Sequence, residues 1–172
     1  TAHWLVLWAT VWGFVGAKVY FLIDSRTSIG WSSLVGSGFV WYGGLIGGTV
    51  AVMVFSRRHG LRIGAVAGVI AAPLSLAYGI GRIGCLLAGD DTYGRPIDLP
   101  WAMAFPNGSL TVDVPVHPTQ LYEVAGAFLI AALLWTLQRR VGAITVFGTY
   151  LGLSGGALLL VEFIRINDPV LF

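Results

Sequence analysis

Charge is what this sequence has least of. Only 10% of its 172 residues are Asp, Glu, Lys or Arg, against about 25% in soluble domains. Hydrophobic residues make up 56% and aromatics 13%, which leaves too few polar side chains to coat a water-facing surface, so lipid is the expected solvent. Cysteine occurs once, at Cys85, and excludes an internal disulfide. Lys and Arg number 10 against 8 Asp and Glu; that balance gives no basic field of the kind nucleic acid requires, and no nucleic-acid partner is expected. The three histidines, His3, His59 and His117, are far apart in the chain, and no metal site is expected. Composition also excludes disordered, collagen-like and disulfide-rich secreted classes. An initiator methionine is absent too, and segment 4–23 is too long and too aromatic for a signal-peptide core; it reads as a true span in a trimmed or processed chain.

What is abundant is apolar length. A membrane-crossing helix needs about 20 apolar residues, and five stretches meet or approach this: 4–23, 39–55, 63–88, 121–137 and 143–161. The expected fold is an all-α polytopic membrane protein, a single transmembrane domain over 1–172, with a structured outer loop at 89–118 between the third and fourth helices. Short loops rich in arginine stay cytoplasmic, and Arg57, Arg58 and Arg62 mark one such loop, Arg139 and Arg140 another. The N-terminus is therefore expected inside and the C-terminus outside, with 24–38 and the long loop also outside. Glycines recur at spacing four (Gly43 and Gly47, Gly44 and Gly48, Gly64 and Gly68, Gly148, Gly152 and Gly156), the pattern of close helix packing. Trp4, Trp8 and Trp12 make a one-faced stripe suited to lipid or a partner helix.

Ionisable groups inside a span are costly unless paired or wetted. At about 1.5 Å per residue, Arg82 lies roughly 28 Å along the third span, at the outer edge of the membrane. The same rise puts Lys18, Tyr42, Glu123, Glu162 and Arg165 in the outer part as well, while the inner half is almost wholly apolar. Two readings are open: ion pairs that merely tie helices together, or a polar chamber facing the outer leaflet in which arginines meet a lipid phosphate. The long loop contains a turn-rich stretch at 89–96 and an apolar, aromatic one at 99–106, expected as a lid or small head at the interface. His117, just before Pro118, reads as either a capping or an interfacial residue.

These residues carry a resemblance. Gly81-Arg82-Ile83-Gly84-Cys85-Leu86-Leu87-Ala88-Gly89-Asp90, Tyr93-Gly94-Arg95-Pro96, Asp98-Leu99-Pro100-Trp101-Ala102-Met103-Ala104-Phe105-Pro106 and His117-Pro118-Thr119-Gln120-Leu121-Tyr122-Glu123 resemble the bacterial prolipoprotein diacylglyceryl transferase family in order and spacing. Tyr42-Gly43-Gly44-Leu45-Ile46-Gly47-Gly48, Val161-Glu162-Phe163-Ile164-Arg165 and Gly16-Ala17-Lys18 match as well. The resemblance implies transfer of a diacylglyceryl group from phosphatidylglycerol to the lipobox cysteine of a prolipoprotein signal peptide, in the bacterial cytoplasmic membrane, without a cofactor and with the site facing the outer leaflet. It makes Arg82, Glu123, Glu162, Arg165 and Tyr42 the catalytic candidates. Lys18, Gly43, Gly44, Cys85, Gly89, Tyr93, Gly94, Arg95, His117, Gln120 and Tyr122 become the substrate-binding candidates.

The chain reads as a diverged, shorter member: five expected spans stand where the family typically has seven, Tyr42 replaces a typical histidine, Cys85 a common asparagine, and Leu158 and Ser154 a common arginine and tyrosine. Thiol attack needs a base and cations to stabilise the phosphate leaving group; Arg82 supplies a cation, and Glu123 or Glu162 is the available base. The alternative is a non-catalytic, transferase-like membrane subunit that binds phospholipid or stabilises a larger assembly, with membrane-complex partners. A transporter would need paired broken helices and a polar path through the inner half, which the sequence does not present.

Overall fold

The computed structural model describes residues 2–24, 40–90 and 93–166. Most of the expected outer segment at 24–38, the start of the second span at Phe39, and Asp91 and Thr92 of the long loop lie outside the described residues.

Five helices and a two-stranded sheet follow one another: α1 (Ala2–Asp24), α2 (Trp41–Arg58), α3 (Ile63–Ala88), β1 (Met103–Phe105), β2 (Val112–Val116), α4 (Thr119–Leu137) and α5 (Ala143–Glu162). Among the described residues, α1, α3, α4 and α5 are long and apolar enough to cross a membrane. The second expected span is the exception. Its helix, α2, has 18 residues, of which four are glycine and the last two are Arg57 and Arg58, and this dilutes its Leu, Ile and Val content below that of the others. The described elements form two compact units, Thr1–Val66 and Ala67–Phe172.

In the first unit α1 packs on α2 through backbone. A Cβ added at Gly16 would fall on the carbonyl oxygen of Gly43, and one added at Gly43 would fall on that of Gly16. Only glycine permits this approach, the use expected of small residues at spacing four. Val40 N–H donates to the Ala17 carbonyl at 3.2 Å, pinning the entry to α2. The tryptophan side chains of α1 are exposed, at Trp4, Trp8 and Trp12, and the last two stack with ring centroids 6.1 Å apart.

In the second unit a small core of Ala71, Ala72, Leu134 and Val146 joins α3, α4 and α5. Ser75 Oγ donates to the Ala127 carbonyl at 2.8 Å, which satisfies a buried hydroxyl between α3 and α4. The outer loop is structured, as its composition predicts, but as a β-hairpin on an otherwise helical chain. Strands β1 and β2 pair antiparallel, Met103 opposite Val116 and Phe105 opposite Val112, with an irregularity between. Tyr93, Phe105 and Val116 form the core of this head, with the Tyr93 and Phe105 rings stacked at 4.4 Å. Gly89 ends α3 with φ +59°, the left-handed conformation that favours glycine. Ser109 and Leu110 N–H groups then donate to the Ala88 and Gly89 carbonyls at 3.1 and 3.2 Å, holding the head against the end of α3.

Candidate active site

The last turns of α3 carry Tyr78, Arg82 and Cys85, at offsets of four and three, so the three share one helix face. Opposite them the first turns of α4 carry Gln120 and Glu123, also one turn apart. The third contributor is the end of α5 and the residues after it, Glu162 and Arg165.

These elements meet on one carboxylate. Arg82 Nη2 donates to Glu123 Oε1 at 3.1 Å, and its Nε also faces Glu123 Oε2. From the other side Arg165 Nη2 donates to the same Oε1 at 2.7 Å. The Glu123 side chain is 2% exposed, those of Arg82 and Arg165 16% and 19%. Two guanidinium groups thus converge on one buried carboxylate, an arrangement in which removal of the anion strands two cations. Glu162 lies at the edge: its Oε2 is 3.6 Å from Arg165 Nη1 and its side chain is 50% exposed. Arg82 is oriented further by Tyr78, whose hydroxyl accepts from Nε at 3.1 Å and whose ring lies 5.5 Å from the guanidinium carbon. Cys85 Sγ is 3.9 Å from Arg82 Nη1. Asp90, whose N–H donates to the Cys85 carbonyl at 3.2 Å, accepts from Gln120 Nε2 at 3.1 Å.

The head positions Arg165. Arg95 N–H donates to the Ile164 carbonyl at 2.9 Å and Ile166 N–H to the Tyr93 carbonyl at 3.2 Å, so Gly94 sits opposite Arg165 as in an antiparallel bridge. On its other side Gly94 N–H donates to the His117 carbonyl at 2.9 Å, and His117 N–H to that of Arg95 at 3.2 Å. A Cβ at Gly94 would collide with that of His117 and stand 3.0 Å from the Ile164 oxygen, which restricts the position to glycine. A second polar group ties the entry to β1 to α4: Trp101 Nε1 donates to Tyr122 Oη at 2.8 Å, and that hydroxyl lies 3.0 Å from His117 Nδ1.

Of the residues singled out in the sequence, Arg82, Glu123, Arg165, Glu162 and Cys85 come together directly. Tyr93, Gly94, Arg95, His117, Gln120 and Tyr122 form the adjoining head and helix start, and Gly89 is the turn beneath it. Lys18, Tyr42, Gly43 and Gly44 belong to the first unit. Lys18 Nζ lies 5.2 Å from the Phe21 ring centre. Tyr42 is exposed and meets Trp41 edge to face at 5.4 Å. Gly43 and Gly44 lie against α1, where Gly44 faces the Gly13 carbonyl.

Tyr78, Asp90 and Trp101 are the contributors that sequence reasoning passed over. Tyr78 had a signal, since it precedes Arg82 by one helical turn. Among the described residues no group of three His, Cys, Asp or Glu is arranged to hold a metal ion.

A family model described as prolipoprotein diacylglyceryl transferase matches residues 1–172. Among curated relatives, the phosphatidylglycerol–prolipoprotein diacylglyceryl transferase of Clostridium tetani is 34% identical over 91% of this chain and 65% of its own length. The proteins of the same name from Nitrobacter winogradskyi and Methylocella silvestris are 35% and 38% identical, over 96% and 78% of this chain and 60% and 49% of theirs. The chain therefore spans less than two thirds of the length of these curated relatives.

Proposed function

Because this chain belongs to the prolipoprotein diacylglyceryl transferase family, we propose that it transfers the diacylglyceryl group of phosphatidylglycerol to the lipobox cysteine of a prolipoprotein. The observation that carries this reading is the pair of guanidinium groups held on Glu123. In the proposed reaction the thiol proton passes to a carboxylate, and sulfur bonds to the glyceryl carbon that bears the phosphate. The carbon–oxygen bond to phosphate breaks, and glycerol phosphate leaves with the electron pair. Negative charge grows on the departing phosphate, where prepositioned N–H donors and cations act best; Arg82 and Arg165 take that role. Glu123, with both oxygens facing guanidinium groups, aims the arginines. Glu162, half exposed at the edge of the cluster, takes the thiol proton.

The site is proposed to face the outer leaflet of the bacterial cytoplasmic membrane, because both arginine-rich loops lie at the opposite ends of the helices that carry it. In this arrangement α2 serves as a fifth span and the N-terminus is cytoplasmic. A cysteine at exposed Asn107 should react with an impermeant thiol reagent from outside, and one at exposed His59 only after permeabilisation. The reverse pattern would overturn the orientation.

A second reading rests on Leu158. It is 44% exposed one turn before Glu162, so an apolar side chain occupies the position where the family resemblance calls for an arginine. A site with one cation fewer suits a subunit that binds phospholipid without transferring it. One assay separates the two: the full chain in phosphatidylglycerol-containing nanodiscs is mixed with a lipobox peptide, and the peptide mass is followed. Addition of a diacylglyceryl mass that is lost in Arg82→Ala supports the transferase. Phosphatidylglycerol binding without mass addition supports the second reading, and absence of both overturns the proposal.

A further inference from the structure

The turn of α3 that carries Tyr78 is fixed on both sides. Three residues before it, Ser75 Oγ donates to the Ala127 carbonyl of α4 at 2.8 Å, and the next residue, Gly79, lies so close to α4 that an added Cβ would strike the Phe128 ring. Arg82 leaves the same helix from an open surface. A Cβ added at Gly81 or Gly84 would meet no atom within 4 Å among the described residues. A long side chain on such a surface keeps much of its rotamer freedom unless polar partners remove it.

Two partners do so, and they differ in kind. Glu123 faces both Nε and Nη2 of Arg82, yet it is shared with Arg165 at 2.7 Å, and its negative charge offsets part of the positive charge that the arginines present. Tyr78 Oη accepts from Nε at 3.1 Å, and its ring lies 5.5 Å from the guanidinium carbon. A phenol is neutral near neutral pH, so it directs the guanidinium without cancelling charge, and the face of its ring favours a cation. Because the two residues are one helical turn apart, a rigid turn sets where a flexible side chain points.

We propose, on the transferase reading above, that Tyr78 is a positioning residue for the reaction: its hydroxyl holds the Arg82 guanidinium in the direction from which it meets the departing phosphate. Electrostatic stabilisation of a transition state depends on donors fixed beforehand, and a misplacement of about 1 Å costs on the order of a hundredfold in rate. In this role Tyr78 acts through Arg82 and need not touch the lipid.

The test compares the full chain with Tyr78→Phe, which keeps the ring and removes one oxygen, in phosphatidylglycerol-containing nanodiscs with the lipobox peptide. We expect kcat to fall about fivefold, the worth of one partly exposed hydrogen bond. KM for phosphatidylglycerol and the thermal midpoint should stay as they are, because Glu123 still holds Arg82. A second readout needs no turnover. In the heteronuclear NMR spectrum of the arginine Nε–H groups, the signal that disappears in Arg82→Lys should exchange with water faster in Tyr78→Phe, while the signal that disappears in Arg165→Lys should not change. A fall in midpoint that accompanies the loss of rate overturns the proposal, since it marks a role in holding α3 to α4. So does a raised KM at unchanged kcat, which marks a residue that binds the lipid directly, or an Arg82 signal that Tyr78→Phe leaves as it was. The two proposals fail separately. If the unmodified chain transfers nothing, the transferase reading falls and the Arg82 signal decides whether Tyr78 holds the guanidinium; if Tyr78→Phe transfers as fast as the unmodified chain, the transferase stands and the role of Tyr78 falls.

Discussion

The two halves of the described molecule are held together by opposite means. Between α1 and α2 the contact is backbone on backbone, with Gly16 and Gly43 each against the other's carbonyl, and every charged side chain with described burial on those two helices is at least partly exposed. Among α3, α4 and the chain after α5, the closest ties are charged: Glu123, 2% exposed, between Arg82 and Arg165. Lipid makes both solutions workable for different reasons. It offers no hydrophobic gain for bringing apolar helices together, so close packing of small residues supplies the attraction. It also makes an unpaired charge costly, so a carboxylate with two guanidiniums becomes a strong constraint on three chain segments at once.

The contrast predicts unequal damage. Glu123→Gln leaves two guanidinium groups facing a neutral amide, and breaking a buried ionic group in this way costs about 3–5 kcal/mol. We expect a large drop in the thermal midpoint in detergent and loss of phosphatidylglycerol binding; an unchanged midpoint would mean the cluster is solvated rather than buried. Gly43→Val acts on the other half. Its side chain collides with the Gly16 carbonyl and the Tyr20 Cβ, at a cost of about 1–3 kcal/mol for overpacking. Phosphatidylglycerol affinity should survive, and its loss at an unchanged midpoint would assign Gly43 to substrate rather than to packing.

Smaller effects sharpen the picture. Leu158→Arg adds a guanidinium one turn before Glu162, which offsets part of its desolvation through the i, i+4 pair. The expected result is a gain of about tenfold in phosphatidylglycerol affinity or transfer, the equivalent of one charge-assisted contact; no gain would place Leu158 on a lipid-facing surface away from the headgroup. Trp101→Phe removes only the indole donor to Tyr122. Loss of one partly exposed hydrogen bond should cost about 0.5–1.5 kcal/mol, visible as faster proteolysis of the head with the Glu123 cluster intact. A loss as large as that of Glu123→Gln would show that the head and the cluster stand or fall together.

Much of the candidate site was conspicuous in the sequence for one physical reason: a charge in an apolar stretch stands out. Arg82, Glu123, Glu162 and Arg165 were each visible in that way, and α3, α4 and α5 lie close to where apolar length put them. Partner choice was not visible. Glu162 is nearer to Arg165 in the chain, yet Glu123 takes the shorter contact, 2.7 Å against 3.6 Å. Asp90 escaped notice because a turn aspartate is ordinary in its local setting, and Gln120, a candidate through the family resemblance, gave no sign along the chain of pairing with it. Their bond joins residues 30 positions apart. The aromatic stretch around Trp101 was recognisable as a head, whereas its hairpin was not, since strands of three and five residues leave too little alternation to read.

By itself, then, the sequence determined the apolar character, the helical class, the positions of the charges along their helices and the glycines that let α1 and α2 touch, because each follows from composition or from spacing along one helix. Tertiary structure alone decided that one carboxylate would hold two arginines, that the Tyr93–Arg95 segment would clasp the chain around Arg165, and that Gln120 would turn its amide nitrogen to Asp90. Those outcomes depend on distances between segments far apart in the chain, and no local preference encodes them.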